Sequence, residues 1–536
     1  MQFDATEYRY PSRRTTVYGT RGMVATTQPL AAEAGLEMIK KGGNAVDAAI
    51  ATAACLTVVE PTGCGIGGDA FALVWVDGKL HGLNSSGTAP MRANADVLRA
   101  KGFEKIPLYG WHAVNVPGTP AAWAELSARF GRLPLTEVLK PAIYYARNGF
   151  PVSPYISTLW KKAFSAFEKN LKGAEFKHIF DSFTINGRAP AAGELWRCPD
   201  QGDTLELIAE TKAEAFYRGA LAEKIAAFSK AHDGWLSAED LAAYKPEWVT
   251  PISVDYRGYD VWEIPPSGQG IVALMALNIL KHFEFSERET VDAYHLQIEA
   301  TKLAFADALK YVADPRNMDV SVEALLSAAY GAKRAKEIDL TRAAMPAHGA
   351  PNAGGTVYLS AADGDGGMIS FIQSNYRGFG SGLAVPGTGI TLHNRGNNFS
   401  LDPASPNCLA PGKKPYHTII PGFLTKDGQP VGPFGVMGAF MQPQGHVQTV
   451  MNLVDFGMNP QEAFDAPRWQ WIEGMQVGIE AHAGTGIAHG LDARGHEVLF
   501  DCDTASYGRG EMILRCENDV LCGATEPRAD GHVAVW

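Results

Sequence analysis

The chain has 536 residues, 46% hydrophobic and 20% charged, a balance that buries a large core and excludes disordered and collagen-like classes. Its formal charge of −11, with no lysine- or arginine-rich run, lacks the footprint of a nucleic-acid binder. The most apolar stretch, residues 48–59, falls short of the ~18 residues a membrane span needs, and no secretion signal opens the chain, so a cytoplasmic protein without a membrane or nucleic-acid partner is expected.

Residues 22–28 read as a short strand. Leu30, Ala34, Met38 and Ile39 then recur at helical spacing until Gly42-Gly43, where glycine ends the helix. A second helix starts at once, with Asn44 as its cap and Asp47 at its third position, where a carboxylate meets unpaired N–H groups. The run AAIATAACLTVV is apolar nearly all round and ends before Pro61, so this helix is expected to be buried. The glycine loop 62–69 leads into a strand over 70–76 bounded by Asp77-Gly78. Helix, loop, strand is the reverse of what the dinucleotide fingerprint needs, so Gly65-Ile66-Gly67-Gly68-Asp69-Ala70 reads as a structural turn despite its superficial match.

Residues 120–330 alternate amphipathic helical windows with loops and predict a mainly helical half. Residues 331–355 lose periodicity and gain Ala, Pro and Gly, the composition of an exposed linker and domain boundary. Beyond it TVYLSAAD and MISFIQS predict a hairpin around DGDGG, and residues 446–456 a helix with Val447, Val450, Met451 and Val454 on one face.

The seven cysteines are scattered without a C-x-x-C pair, which argues against a disulfide framework and a zinc site and for reduced, mostly buried thiols. The fourteen histidines show no ligand spacing. No G-x-S-x-G, Walker A or H-E-x-x-H occurs. Neither metal nor cofactor is expected.

Gly354-Gly355-Thr356 stands where the linker meets the first β-run. A threonine hydroxyl is a poor nucleophile without a base, and one solution makes threonine a chain terminus whose α-amine is that base. That amine, with a pKa near ~7.7–8.0, is partly free at neutral pH. Taken alone, the tripeptide is better read as a loop entering a strand.

From Thr356 onward, the hairpin, then FGSGLAVPGTGITL, NNFS, PGKKP, VDFGMNPQEAFDAPRW and GATEPRADG resemble the γ-glutamyltransferase (glutathione hydrolase) family. GGNAVDAAIATAACLTVVEPTGCGIGGDAF, VPGTPAAW, LSAEDLAAYKP and DYRGYDVWEIPPSGQG resemble its large-subunit blocks, so the likeness spans nearly the whole chain in the family's order. It implies the α+β, four-layer αββα sandwich of the N-terminal-nucleophile hydrolases. It also implies a precursor cut between Gly355 and Thr356 into a large subunit, 1–355, and a small subunit, 356–536. In such a site Thr356 attacks an amide carbonyl and its own amine shuttles the proton. Ser374 falls where the family has a threonine bonded to the nucleophile, and Gly438-Ala439 where a Gly-Gly pair supplies the oxyanion-binding N–H groups.

The acyl contacts depart from that pattern. Ser86 stands at the place of the arginine that holds the γ-glutamyl carboxylate, Asn398 at that of the acidic residue, Tyr376 at an asparagine, and His417-Thr418 at a Ser-Ser pair. A buried substrate carboxylate needs a cation, and Arg395 is a candidate replacement anchor with a structural ion pair as its alternative reading. The stretch 399–415 is short compared with lidded members, which implies an open site. The expectation is a self-processing amidohydrolase of small-molecule amides, hydrolysing rather than transferring, with an altered acyl pocket. An amidase for a small acid amide such as oxamate, an acylase, and an uncleaved binding relic are the alternatives, and a homo-oligomer is left open.

Overall fold

Strand alternation separates the core into layers. In the strand Gly22–Thr26, Met23 and Ala25 enter one apolar cluster and Val24 another; Phe71 and Leu73 part from Ala72 and Val74 in the same way along Asp69–Val76. Successive side chains of a strand point to opposite faces, so each such strand has a packed layer on both sides. The computed structural model describes residues 14–345, 356–501 and 504–536.

Two seven-stranded sheets carry this alternation. One runs in the order Val17–Gly19, Leu521–Thr525, Arg509–Arg515, Gln429–Met437, Gly422–Lys426, Tyr259–Glu263, Ile252–Tyr256. The other runs His532–Val535, Gly22–Thr26, Val357–Asp363, Met368–Ser374, Asp69–Val76, Lys79–Ser85, Glu247–Val249. Met23, Phe71, Tyr358 and Ile372 of the second sheet meet Phe423, Met437 and Ile513 of the first in the cluster between them. Helices Pro29–Lys40 and Ala45–Val59 cover the outer face of the second sheet. Gly270–Leu280, Val291–Tyr311 and Met441–Val454 cover that of the first. This is the four-layer αββα arrangement expected.

The first two helices form where their caps are written. The Asn44 side chain accepts the N–H groups of Val46 and Asp47, the Asp47 carboxylate accepts that of Asn44, and Gly42 turns at φ +92°, where a side chain is strained. All fifteen residues of Ala45–Val59 are buried.

Three expectations are corrected. The 120–330 region is helix-rich but also contributes strands Glu247–Val249, Ile252–Tyr256 and Tyr259–Glu263, the first two at sheet edges, where mixed polar and aromatic residues mask the period-2 signal. The linker predicted over 331–355 begins inside the helix Ala328–Ala335, while the bond expected to be cut lies at the border of the described residues, with Gly355 outside them. The late helix starts at Met441, not 446. Among the described residues no helix is long and apolar enough to cross a membrane.

Candidate active site

Thr356 immediately precedes the strand Val357–Asp363. The antiparallel register Val357↔Gln373 continues to place it across from Ser374, and the two hydroxyls lie 3.2 Å apart. Ser374 Oγ also accepts the Tyr376 N–H at 2.7 Å. Gln442 Nε2 approaches Thr356 Oγ1 at 3.4 Å, and the Arg509 guanidinium donates to the Thr356 carbonyl at 3.1 Å. Arg509 is balanced by Glu60, 3.3 Å away. Burial, only partly offset by Arg509, raises the Glu60 carboxyl to about 6. Thr356 itself is 1% exposed.

From the other sheet, the strand Gln429–Met437 ends in Gly438-Ala439 before the helix Met441–Val454. Gly438 has φ +136° and Ala439 φ +51°, a turn that an alanine adopts only when its surroundings enforce it. Gln269 does so here, its Nε2 bonding the carbonyls of Thr418 and Ala439, each at 2.7 Å. The N–H groups of Gly438 and Ala439 find no backbone acceptor among the described residues, as an oxyanion-binding pair requires.

The glycine loop is the turn expected, and its reason is close approach. A Cβ on Gly65 would stand 2.1 Å from Thr391 Oγ1, and one on Gly68 2.7 Å from the Ser374 carbonyl. The loop thereby delivers Asp69, which pairs with Ser374 across the sheet. Asp69, overlooked in the sequence, is the centre of a buried cluster. Arg395 Nε and Nη2 donate to its two oxygens at 2.8 and 3.1 Å, His417 Nε2 lies 2.9 Å from it, and His393 Nδ1 3.4 Å. Burial alone would raise the Asp69 carboxyl, but Arg395 and then His417 hold it well below its ordinary range. The His417 imidazole is lowered to about 4, first by burial and then by Arg395, so it is neutral at pH 7.

The residues expected at the site thus divide. Thr356, Ser374, Gly438 and Ala439 stand on the two facing sheets as described. Tyr376, at φ +73°, and Asn398 line an open cleft of about 460 Å³ with Arg377, Phe399, Tyr416 and Phe440. Arg395, His417 and Thr418 are drawn instead into the Asp69 cluster, where Arg395 Nη1 donates to Thr418 Oγ1 at 2.5 Å. For Arg395 the ion pair is the arrangement found, its charge already matched. Ser86 is buried, bonded through its N–H to Asn84, and is not part of the cleft wall. Asp69, Gln442, Arg509 and Gln269 were missed because their partners lie far away in sequence, 326 positions for Asp69 and Arg395.

Elsewhere His295, Glu299 and His496 bring ligand atoms within 4.8 Å of one another. The two imidazoles bond each other at 2.9 Å and Lys302 sits 2.7 Å from Glu299, so these donors are already engaged.

The chain is similar to known proteins along nearly its whole length. A family model described as gamma-glutamyltranspeptidase matches residues 31–536. The glutathione hydrolase-like YwrD proenzyme of Bacillus subtilis (strain 168) is 38% identical over 96% of this chain and 98% of its own. The oxamate amidohydrolase proenzyme of Klebsiella pneumoniae is 33% identical over the same shares. Among solved structures, a cephalosporin acylase from Bacillus halodurans superposes with a TM-score of 0.96 at 58% identity, covering 100% of this chain and 99% of that one.

Proposed function

Since the chain belongs to the gamma-glutamyltranspeptidase family and is an N-terminal-nucleophile amidohydrolase, we propose that it cuts itself between Gly355 and Thr356 and then uses Thr356 as its nucleophile. The observation that carries this reading is the buried Thr356 hydroxyl 3.2 Å from Ser374 Oγ at the mouth of a central strand. Thr356 Oγ bonds to the amide carbon while its proton passes to the α-amine released by cleavage. The carbonyl oxygen takes up negative charge against the Gly438 and Ala439 N–H groups, a device worth ~10²–10³ in rate per donor. The C–N bond then breaks, the leaving amine takes the proton, and water hydrolyses the acyl-enzyme. Ser374 orients the hydroxyl, and Arg509 steadies the Thr356 carbonyl.

The acyl pocket supports an acylase-like rather than a γ-glutamyl specificity. Ser86 brings no cation, Asn398 no charge, and Arg395 and His417 are turned to Asp69. The names of the relatives, oxamate amidohydrolase and cephalosporin acylase, are compatible with that shift.

Purified protein is expected to run as two pieces, of about 38 and about 19 kDa when 57.6 kDa is shared between 355 and 181 residues. Thr356→Ala is expected to give one full-length band without amidase activity. Wild-type protein that stays whole on long incubation opposes the reading, as does an alanine variant that still cuts at this bond. Given a panel of amides, the cut enzyme is expected to turn over glutathione poorly, with the deficit in kcat/KM.

A further inference from the structure

A cut ahead of Thr356 would turn a residue held from both sides into a chain end, oriented only by the bonds that remain to it. Its hydroxyl is met by Ser374 and Gln442. Its carbonyl is met by Arg509, whose Nη2 donates to it at 3.1 Å. Rotation of that residue moves the hydroxyl and the α-amine together, and a misplacement on the order of 1 Å costs about a hundredfold in rate.

Arg509 is 6% exposed, and a buried guanidinium is held where its countercharge is. The carboxylate it pairs with is Glu60, 3.3 Å away and 0% exposed. Glu526, a second acid near it, is taken up by Arg468 and Arg528. Glu60 caps the C-terminus of Ala45–Val59, and its other oxygen accepts the Thr27 hydroxyl. Packing here is so close that a Cβ on Gly63 would stand 3.2 Å from the Thr356 oxygen and 3.4 Å from Glu60 Oε1. Thr27, Glu60 and Gly63 precede residue 355 and Arg509 follows it, so the contact spans the proposed cut.

We propose that Glu60 is a positioning residue of the cut enzyme: its carboxylate holds Arg509 against the Thr356 carbonyl, and the reactivity of Thr356 follows the charge on Glu60. This rests on Thr356 being the nucleophile.

Burial raises the Glu60 carboxyl to about 6, with Arg509 and Thr27 opposing that rise and the partly exposed Asp530 adding to it. Cys64 and Tyr155, which adjoin the pair, are kept protonated by burial. Against its own burial, Glu526 is kept ionised by Arg468 and Arg528. Glu60 is therefore charged and paired above about pH 6, and below it the carboxyl is neutral, as a glutamine is.

The test treats the cut enzyme with p-nitrophenyl acetate, a probe that makes no demand on the acyl pocket, and follows by mass spectrometry the acetyl group gained at Thr356. Thr356 Oγ bonds to the ester carbon, p-nitrophenolate leaves, and the hydroxyl proton passes to the α-amine. Wild type is expected to react about tenfold faster than Glu60→Gln at about pH 8, and the two rates are expected to converge as pH falls from about 6 to about 5. Thr27→Val removes a bond that favours the charged form of Glu60. It should match wild type at about pH 8 and lag it about twofold near pH 6.5, and it carries the test if Glu60→Gln does not fold. A ratio of wild type to Glu60→Gln near one at every pH overturns the proposal. So does a ratio that stays constant across the range, since a merely structural loss does not follow the charge, and so does a Thr27→Val profile identical to that of wild type. Wild type that gains no acetyl group at Thr356 overturns instead the reading that Thr356 is the nucleophile, and this proposal with it.

Discussion

Ser374 performs two tasks with one oxygen, approaching the Thr356 hydroxyl and accepting the Tyr376 N–H at 2.7 Å. Removing that oxygen leaves a buried N–H without its acceptor, a penalty of about 1–3 kcal/mol, and frees the Thr356 hydroxyl to rotate. Ser374→Ala is therefore expected to slow both precursor cleavage, timed on denaturing gels, and kcat by about tenfold or more, while Ser374→Thr stays within a few-fold of wild type. Rates unchanged in the alanine variant would show that Ser374 does not orient Thr356. Thr356, Ser374 and Gly438-Ala439 were legible in the sequence because each lies inside a contiguous block. Asp69 was not, and Arg395 was named with its role left open between anchor and ion pair, since the meaning of a buried charge depends on a partner brought to it by folding.

At the level of elements, the best-marked helix is also the best anchored. The Asp47 Oδ2 that closes the capping box of Ala45–Val59 accepts the N–H groups of Asn44 and Arg132 at 3.0 and 2.9 Å and that of Leu133 at 3.3 Å. Burial raises its pKa against these bonds, yet its loss strands three donors. Asp47→Ala is expected to cost at least about 2 kcal/mol, measurable by urea unfolding; a variant as stable as wild type would show the box to be ornamental. Helices with caps and strands with clean apolar runs were readable for the same reason, that local chemistry and tertiary role agree. The strands between 247 and 263 were not, because an edge strand such as Glu247–Val249 pairs on one side only and its residues obey solvent as much as the core.

For the whole molecule, buried imidazoles tie stability to acidity. His417 is lowered from 6.5 to about 4 by burial and Arg395, and His496 to about 3 by burial and Lys302. Each stays neutral in the folded chain where the unfolded chain already binds a proton, so each contributes stability that is full above pH 6.5 and is lost as pH falls toward its folded value. Glu60, raised to about 6, and Glu511, raised well above 4.5, both chiefly by burial, act in the opposite sense, so the sign is read from a difference. The Tm gap between wild type and His496→Gln is expected to shrink steadily from pH 6.5 to pH 4 in scanning calorimetry. A gap that is constant or widens on acidification contradicts a neutral buried His496.

The strand order of the second sheet has one more consequence. Val357–Asp363 and Met368–Ser374, from beyond residue 355, lie between Gly22–Thr26 and Asp69–Val76, from before it. With the bond ahead of Thr356 cut as proposed, no line drawn through the sheet would separate the two pieces, and the molecule would hold together by the pairing it already has. What changes is molecularity. The precursor folds as a first-order event at any dilution, whereas the cut protein, fully unfolded, has to find its other half by diffusion. Its recovery from denaturant would then depend on concentration, because a native state first reached as one chain would have to be regained by two.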